Sequence, residues 1–231
     1  MQNENEKHAM GADRGASVSD GINEFVQKHR KPIFFSAGLI LLSLIAFIAA
    51  ISIIGMLRGK AISAVEEFGS RYETLFPSIA EESSSADVEQ LLAELEAFAR
   101  RNSGYAGGKA WSIMGNIYSE KKDWPAAEAA WASAANAAKK TYLVPIAFFN
   151  AAAAAEEQKK TEEAIGYYNA CLASADFSGA PRAQFAIGRL QESLGDTGAA
   201  IEAYRAVISL WPYDSVWPML AQSRIIALEV E

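Results

Sequence analysis

The chain has 231 residues, 51% of them hydrophobic, and its 28 acidic against 21 basic side chains leave a formal net charge of −7. An acidic chain without a basic stripe is repelled by phosphate backbones, which argues against nucleic acid as a partner. There is one cysteine, and the two histidines are His8 and His29, so no internal disulfide, and beyond residue 29 no Ser–His or Cys–His nucleophile pair and no His-containing zinc site, can form.

Residues 1–32 carry five acidic and five basic side chains and few apolar ones before Ile22. Such a segment cannot bury enough surface to fold alone and reads as a polar tail, with a short helix expected over 21–29. Residues 33–57 form an uncharged, proline-free run of 25. At about 1.5 Å per residue the run covers roughly 37 Å, enough for a hydrocarbon core of roughly 30 Å with some tilt. A cleaved secretory leader has a shorter lead and an apolar core of about 7–15 residues, so an uncleaved transmembrane signal anchor is expected. Lys28, Arg30 and Lys31 precede the run, and Arg58 and Lys60 follow it. That small N-terminal excess, and the indifference of long C-terminal domains to charge, put the tail in the cytoplasm and the rest outside it.

Beyond the anchor, 23 acidic against 16 basic side chains are spread over 174 residues, enough chain for one domain. A helix is expected over 61–76, continuing from the anchor, with Val65, Phe68, Tyr72, Leu75 and Phe76 at helical spacing. A second is expected over 87–101, with Val88, Leu91, Leu92, Leu95, Phe98 and Ala99 on one face, capping residues at Ser85-Ala86-Asp87 and an end near Asn102-Ser103-Gly104. Residues 81–85 are the polar turn between them. The pair reads as a leading hairpin within 58–107.

Three stretches then share one spacing. The first has Trp111, Met114, Gly115, Tyr118, Ala127, Trp131 and Ala134; the second has Phe148, Ala151, Ala152, Ala155, Ala164, Tyr168 and Cys171; the third has Gln184, Ile187, Gly188, Gln191, Ala200, Tyr204, Val207 and Pro212. In each, a small residue is followed by an alanine 12 residues on, an aromatic four later and a small or medium apolar residue three later. Small residues let two helices approach, and the aromatic fills the wedge between them and the next unit. Cys171 takes one of these packing positions. Lys121-Lys122-Asp123, Lys159-Lys160-Thr161 and Gly195-Asp196-Thr197 fall where each hairpin turns, and the extra length sits in 139–145 and 176–181, where prolines restart a helix. The pattern resembles the tetratricopeptide repeat (TPR), a helix–turn–helix unit of about 34 residues. Residues 214–231 repeat only the start of it, with Trp217, Leu220 and Ala221, as a capping helix would. Trp211 and Trp217, flanking Pro212-Tyr213, are expected in the core under that cap, with an exposed peptide-binding aromatic pair as the alternative.

The expected fold is therefore all-α: an N-terminal transmembrane helix, then a TPR-type α-solenoid of three repeats over 108–213, with a leading hairpin and a C-terminal capping helix. No catalytic residue, metal ligand or cofactor site is expected. The adjacent carboxylates Glu66-Glu67, Glu81-Glu82, Glu156-Glu157 and Glu162-Glu163 point about 100° apart on a helix and read as solvated faces. Neither phosphate-binding glycine motif occurs.

The first helices of such units present the side chains left over from packing: Lys109, Ser112, Asn116, Phe149, Asn150, Arg182, Phe185 and Arg189. They form the candidate partner-binding groove, suited to an extended or acidic segment, with Arg189 alternatively pairing with an acid such as Glu156. Asn116, Asn150 and Arg182 also resemble three of the five positions of the two-carboxylate clamp of peptide-binding TPR proteins, with Ser112 and Ala186 at the other two. In Ala86-Asp87, Leu91-Leu92-Ala93-Glu94-Leu95-Glu96-Ala97-Phe98 and Tyr105-Ala106, and in the order of its parts, the chain resembles the bacterial family of the single-span ancillary subunit of the Sec translocon. That resemblance implies an inner-membrane, single-pass adaptor or chaperone-like protein whose partners are protein segments, the translocon and periplasmic chaperones. A structural scaffold of an envelope or division complex is the alternative.

Overall fold

The computed structural model describes residues 25–79 and 86–230. The expectations for residues 1–24 and for the turn over 81–85 lie outside the described residues. Among these, the helices are α1 (Arg30–Ile79), α2 (Ala86–Arg101), α3 (Gly104–Glu120), α4 (Trp124–Ala137), α5 (Leu143–Glu157), α6 (Thr161–Leu172), α7 (Ala180–Ser193), α8 (Thr197–Leu210) and α9 (Trp217–Val230). The chain divides into two units, Met1–Leu57 and Arg58–Glu231, and α1 contributes residues to both.

In the first unit the described chain begins with a helical turn over 25–28, where the Phe25 ring lies 4.7 Å from His29. The helix that follows holds a window of mean hydropathy 2.8 of which none is buried, long and apolar enough to cross a membrane by length and composition. Within it two serine hydroxyls turn back onto the helix: Ser36 donates to Ile33 O at 3.0 Å and Ser43 to Leu39 O at 2.9 Å. This is how a helix carries serine where water is scarce.

The second unit opens with the end of α1. Val65 and Ile79 are buried there, with Phe68, Tyr72 and Leu75 packed beside them, against the apolar face of α2: Val88, Leu91, Leu92, Leu95 and Ala99. Phe68 meets Phe98 at 5.4 Å, and Arg71 pairs with Glu94, so the two helices run antiparallel and form the expected leading hairpin. Asp87 and Glu89 in its first turn and Arg100 and Arg101 in its last complement the α2 dipole. The Tyr105 hydroxyl donates to Glu66 at 2.8 Å and Lys121 pairs with Glu89 at 2.7 Å, tying α3 to this hairpin.

Three hairpins follow, α3–α4, α5–α6 and α7–α8. Each first helix ends on a residue of left-handed conformation at the same place in the unit: Lys122 (φ 57°), Lys159 (φ 61°) and Gly195 (φ 79°). That conformation reverses the chain and satisfies carbonyls at the helix end. Asp123 and Asp196 then cap the next helix, their carboxylates accepting from Ala126 N at 3.2 Å and Ala199 N at 2.9 Å. In the middle turn the cap position is Lys160, which makes no such bond, and Thr161 falls inside the helix.

Close approach is visible at the small residues. A Cβ built on Gly115 would lie 2.6 Å from the Trp131 ring, and one on Gly188 would lie 2.6 Å from the Tyr204 ring. The aromatic thus rests directly on the glycine of its own hairpin and, clustered with residues of the next first helix, fills the wedge toward the next unit. Ala127, Ala164 and Ala200 are fully buried. The core is accordingly a chain of local clusters, each bridging neighbouring helices, as stacked repeats require. At the end, Asp214 accepts from Val216 N and Trp217 N at 2.9 and 3.0 Å, starting α9, whose Ala221 and Ile225 are buried against α8.

Beyond sequence neighbours, the close helix pairs are α3 with α5 and α7 with α9. First helices therefore crowd together, and the face they line is the inner one of the stack.

Candidate partner-binding groove

The candidate residues on this inner face fall into separate groups. Asn116 and Asn150 line one recess between the first two repeats. Phe149 belongs to the next junction. Its ring meets Tyr168 at 5.3 Å and Phe177 at 5.9 Å, and the Arg182 guanidinium sits 5.0 Å above it. Phe185 lies further on, against Tyr204 at 5.1 Å and Trp217 at 5.4 Å. Trp217, the first residue of the capping helix, is half-buried and packs on the cluster beneath it, whereas Trp211 joins no core cluster among the described residues: it is half-buried and shares a recess of about 510 Å³ with the fully exposed Tyr213. Lys109 is half-buried on α3.

Two candidates are engaged inside the protein. Ser112 is buried and its hydroxyl donates to Gly108 O at 2.9 Å, which places it in helix packing instead of the groove. The Arg189 side chain pairs with Glu156. Of the five clamp-like positions, Asn116 and Asn150 come together, Arg182 stands apart on Phe149, and Ser112 and Ala186 are buried.

The Arg189 pair is part of a repeated arrangement. The Tyr168 hydroxyl donates to Glu156 at 2.7 Å, and Glu156 in turn holds Arg189 from the following first helix. One unit later, the Tyr204 hydroxyl donates to Glu192 at 2.9 Å, and Glu192 holds Arg224 from α9. Each rung joins both helices of one unit to the first helix of the next. Desolvation works to raise the Glu192 carboxyl, but hydrogen bonds from Arg224 and Tyr204 outweigh it and hold it below the usual carboxylate range. Burial, and then the bond to Glu192, pushes the Tyr204 phenol up to about 12. Tyr168 moves the same way, again through burial first and Glu156 second. The identical spacing of Glu156 and Glu192 and of Tyr168 and Tyr204 was the available sequence signal for these rungs.

The first junction is built differently. Glu128 on α4, with its side chain 13% exposed, accepts from Gln158 and Lys160 at 2.8 Å each and from Tyr167 at 3.2 Å. Here too burial opposes ionisation, and the bonds from Lys160 and Gln158 overcome it, so the carboxyl lies below its ordinary value. On the inner face of this junction lies the recess of about 280 Å³ that holds Asn116 and Asn150, with Ser119, Trp124, Trp131, Ala153, Ala154 and Glu157 as its other walls. The tryptophans, Ser119 and Glu157 were not among the expected groove residues. Chemically, the inner face offers amides, aromatic rings and one stacked guanidinium. Among the described residues no cluster of His, Cys, Asp and Glu is placed to hold a metal ion. Cys171 is buried, its thiol pushed up to about 12 by that burial, and it serves packing.

Models of the tetratricopeptide repeat match residues 114–178 and 181–213. A TPR repeat-containing protein of Treponema pallidum (strain Nichols) is 30% identical over 224 residues, spanning 90% of this chain and 93% of that protein. The chain belongs to the tetratricopeptide-repeat family. Its fold is also that of two crystal structures of nearly identical TPR-like repeats from a Podosopora anserina protein described as a kinesin light chain. They superpose with TM-scores of 0.53 and 0.52 at 11% and 12% identity, over 71% of this chain and 85% and 86% of theirs. TPR arrays are protein-interaction scaffolds, and the inner face of this one carries half-buried amides and aromatic rings beside the exposed Arg182.

Proposed function

We propose that the chain is a membrane-anchored adaptor that holds an extended segment of a partner protein along the face of α3, α5 and α7. The observation that carries this reading is Arg182. In a net acidic domain it projects from α7, exposed, over the Phe149 ring and makes no ion pair among the described residues. A cation held in place by an aromatic ring and left unpaired is suited to a carboxylate or carbonyl of a bound segment. Asn116 and Asn150 extend the face with amides that pair with a peptide backbone. Arg189 contributes by fixing the groove wall through Glu156.

The apolar run over 33–57 supports a single transmembrane anchor, with 1–32 as a cytoplasmic tail and 58–231 outside. Within the outer part we assign 58–107 to the linking helix and leading hairpin, 108–213 to the three repeats and 214–231 to the cap. The likeness of residues 86–106 to the ancillary Sec subunit supports partners among translocon and periplasmic chaperone proteins.

The test is partner capture by the full chain from membranes solubilised in mild detergent, comparing wild type with Arg182→Ala. Loss of a specific partner with an unchanged melting temperature is expected. Undiminished capture would refute the groove reading. Arg189→Ala is a poorer probe, because it strands Glu156 and perturbs the fold.

A further inference from the structure

We propose that the recess between the first and second repeats is a seat for an arginine side chain brought by an extended segment of a partner protein. This rests on the groove reading above and names the chemistry of one of its contacts.

The inference comes from comparing the three junctions. In the second and third units a glutamate on the first helix accepts from a tyrosine on the second and from an arginine of the following first helix. At the first junction, the residues corresponding to Tyr168, Glu156 and Arg189 are Trp131, Ser119 and Ala153. All three line the recess of about 280 Å³. One rung of the ladder is therefore missing, and the space it would fill is open on the face where a partner segment lies. The junction does not need the rung for its own cohesion, because Glu128 with Lys160, Gln158 and Tyr167 ties the two units elsewhere.

What lines the space selects its occupant. Trp124 and Trp131 offer indole rings, Asn116 and Asn150 offer amide oxygens, and Glu157 offers a carboxylate; no lysine or arginine is in the wall. The side chains of Asn116, Asn150 and Glu157 have no hydrogen-bond or ion-pair partner among the described residues. The Ser119 hydroxyl donates to Gly115 O at 2.7 Å, which leaves its oxygen able only to accept from a ligand. Acceptors, π-faces and one negative charge suit a cation. A planar guanidinium uses ring and acceptors together, whereas a lysine ammonium presents only a point charge. The other two junctions fill the equivalent place with an arginine of the chain itself.

The experiment titrates the full chain, in neutral detergent, with the peptide acetyl-Gly-Ser-Arg-Ser-Gly-amide and with its citrulline counterpart, following indole fluorescence and heat. Citrulline keeps the shape and removes the charge. The arginine peptide is expected to bind at least about tenfold more tightly. The double variant Ser119→Glu/Ala153→Arg places a glutamate–arginine pair in the recess and is expected to lose arginine-peptide binding at least tenfold while melting no lower than wild type. Asn150→Lys, which puts a cation in the wall, is expected to lose it too and serves if the double variant fails to fold. Equal binding of the two peptides, or unchanged binding by the folded variants, would overturn the inference. So would concentration-dependent self-association abolished by the same variants, since the occupant would then be a second copy of this chain. Partner capture that depends on Arg182 without any arginine preference in the recess would overturn this inference alone and leave the groove reading standing. Loss of the Arg182 dependence with the arginine preference intact would do the reverse.

Discussion

Gly188→Ala should destabilise the protein although it replaces glycine by the best helix former. The new Cβ would lie 2.6, 2.7 and 2.9 Å from Cε1, Cδ1 and Cζ of Tyr204. Ordinary carbon contacts are about 3.5–4.0 Å, so the ring must retreat by roughly 1 Å. It has nowhere easy to go, because Tyr204 is fully buried and its hydroxyl is held by Glu192 at 2.9 Å. Overpacking of this kind costs about 1–3 kcal/mol, and stretching the hydroxyl bond adds up to about 1 kcal/mol. The helix-propensity gain returns roughly 0.8–1 kcal/mol. At the middle of these ranges the net is a loss of about 1.5 kcal/mol, or about 3–6 °C in melting temperature for a domain of this size. Gly166→Ala is the control: it lies inside α6, exposed, with nothing within 4 Å of its Cβ. That change should raise stability by about 0.5–1 kcal/mol. Circular dichroism melts of the two variants, side by side in the full chain, decide the matter. If Gly188→Ala melts at or above wild type, Tyr204 does not rest on residue 188 and the repeat packing described above is wrong.

Glu128→Ala should cost about 1–3 kcal/mol in chemical denaturation, because it strands Lys160, Gln158 and Tyr167 at the first junction; a cost below a few tenths would show that junction to be held by apolar contacts alone. The Tyr204 phenol rises from 10 to about 12 in the folded protein, and a raised pKa stabilises below the unfolded value and is lost as pH climbs through the folded one. Wild type should therefore lose more stability than Tyr204→Phe between about pH 10 and 12, and parallel curves would contradict the rung. If residues 33–57 anchor the chain as proposed, it resists carbonate extraction and 58–231 is digested only after the outer compartment is opened to protease; recovery in the soluble fraction would refute the anchor.

The fold was legible because its determinants are local and repeated. Gly115, Gly188 and the alanines 12 residues after them mark helix contacts that recur at one spacing, and turn residues such as Asp123 and Gly195 recur with them. The middle unit was harder to read because its turn is capped by no side chain at Lys160 and its small residue is Ala152 instead of glycine. The groove was read less well. Helical spacing tells which residues are left over from packing, but not which of those find partners across a junction. Arg189 meets Glu156 from 33 residues away, and Ser112 turns back onto its own helix at Gly108. The recess was invisible for a further reason. It is made by what the first unit lacks, and an absence shows only when three junctions are compared in space.

The most direct test of partner binding by the inner face is site-specific photo-crosslinking in intact membranes. A photoreactive residue is placed in turn at Asn150 and Arg182 on the inner face, and at Glu162 and Glu202, exposed on the second helices α6 and α8. The same partner protein should be captured from both inner positions and from neither outer one. Capture from Glu162 and Glu202 with none from Asn150 and Arg182 would contradict the account and move the interaction to the outer face.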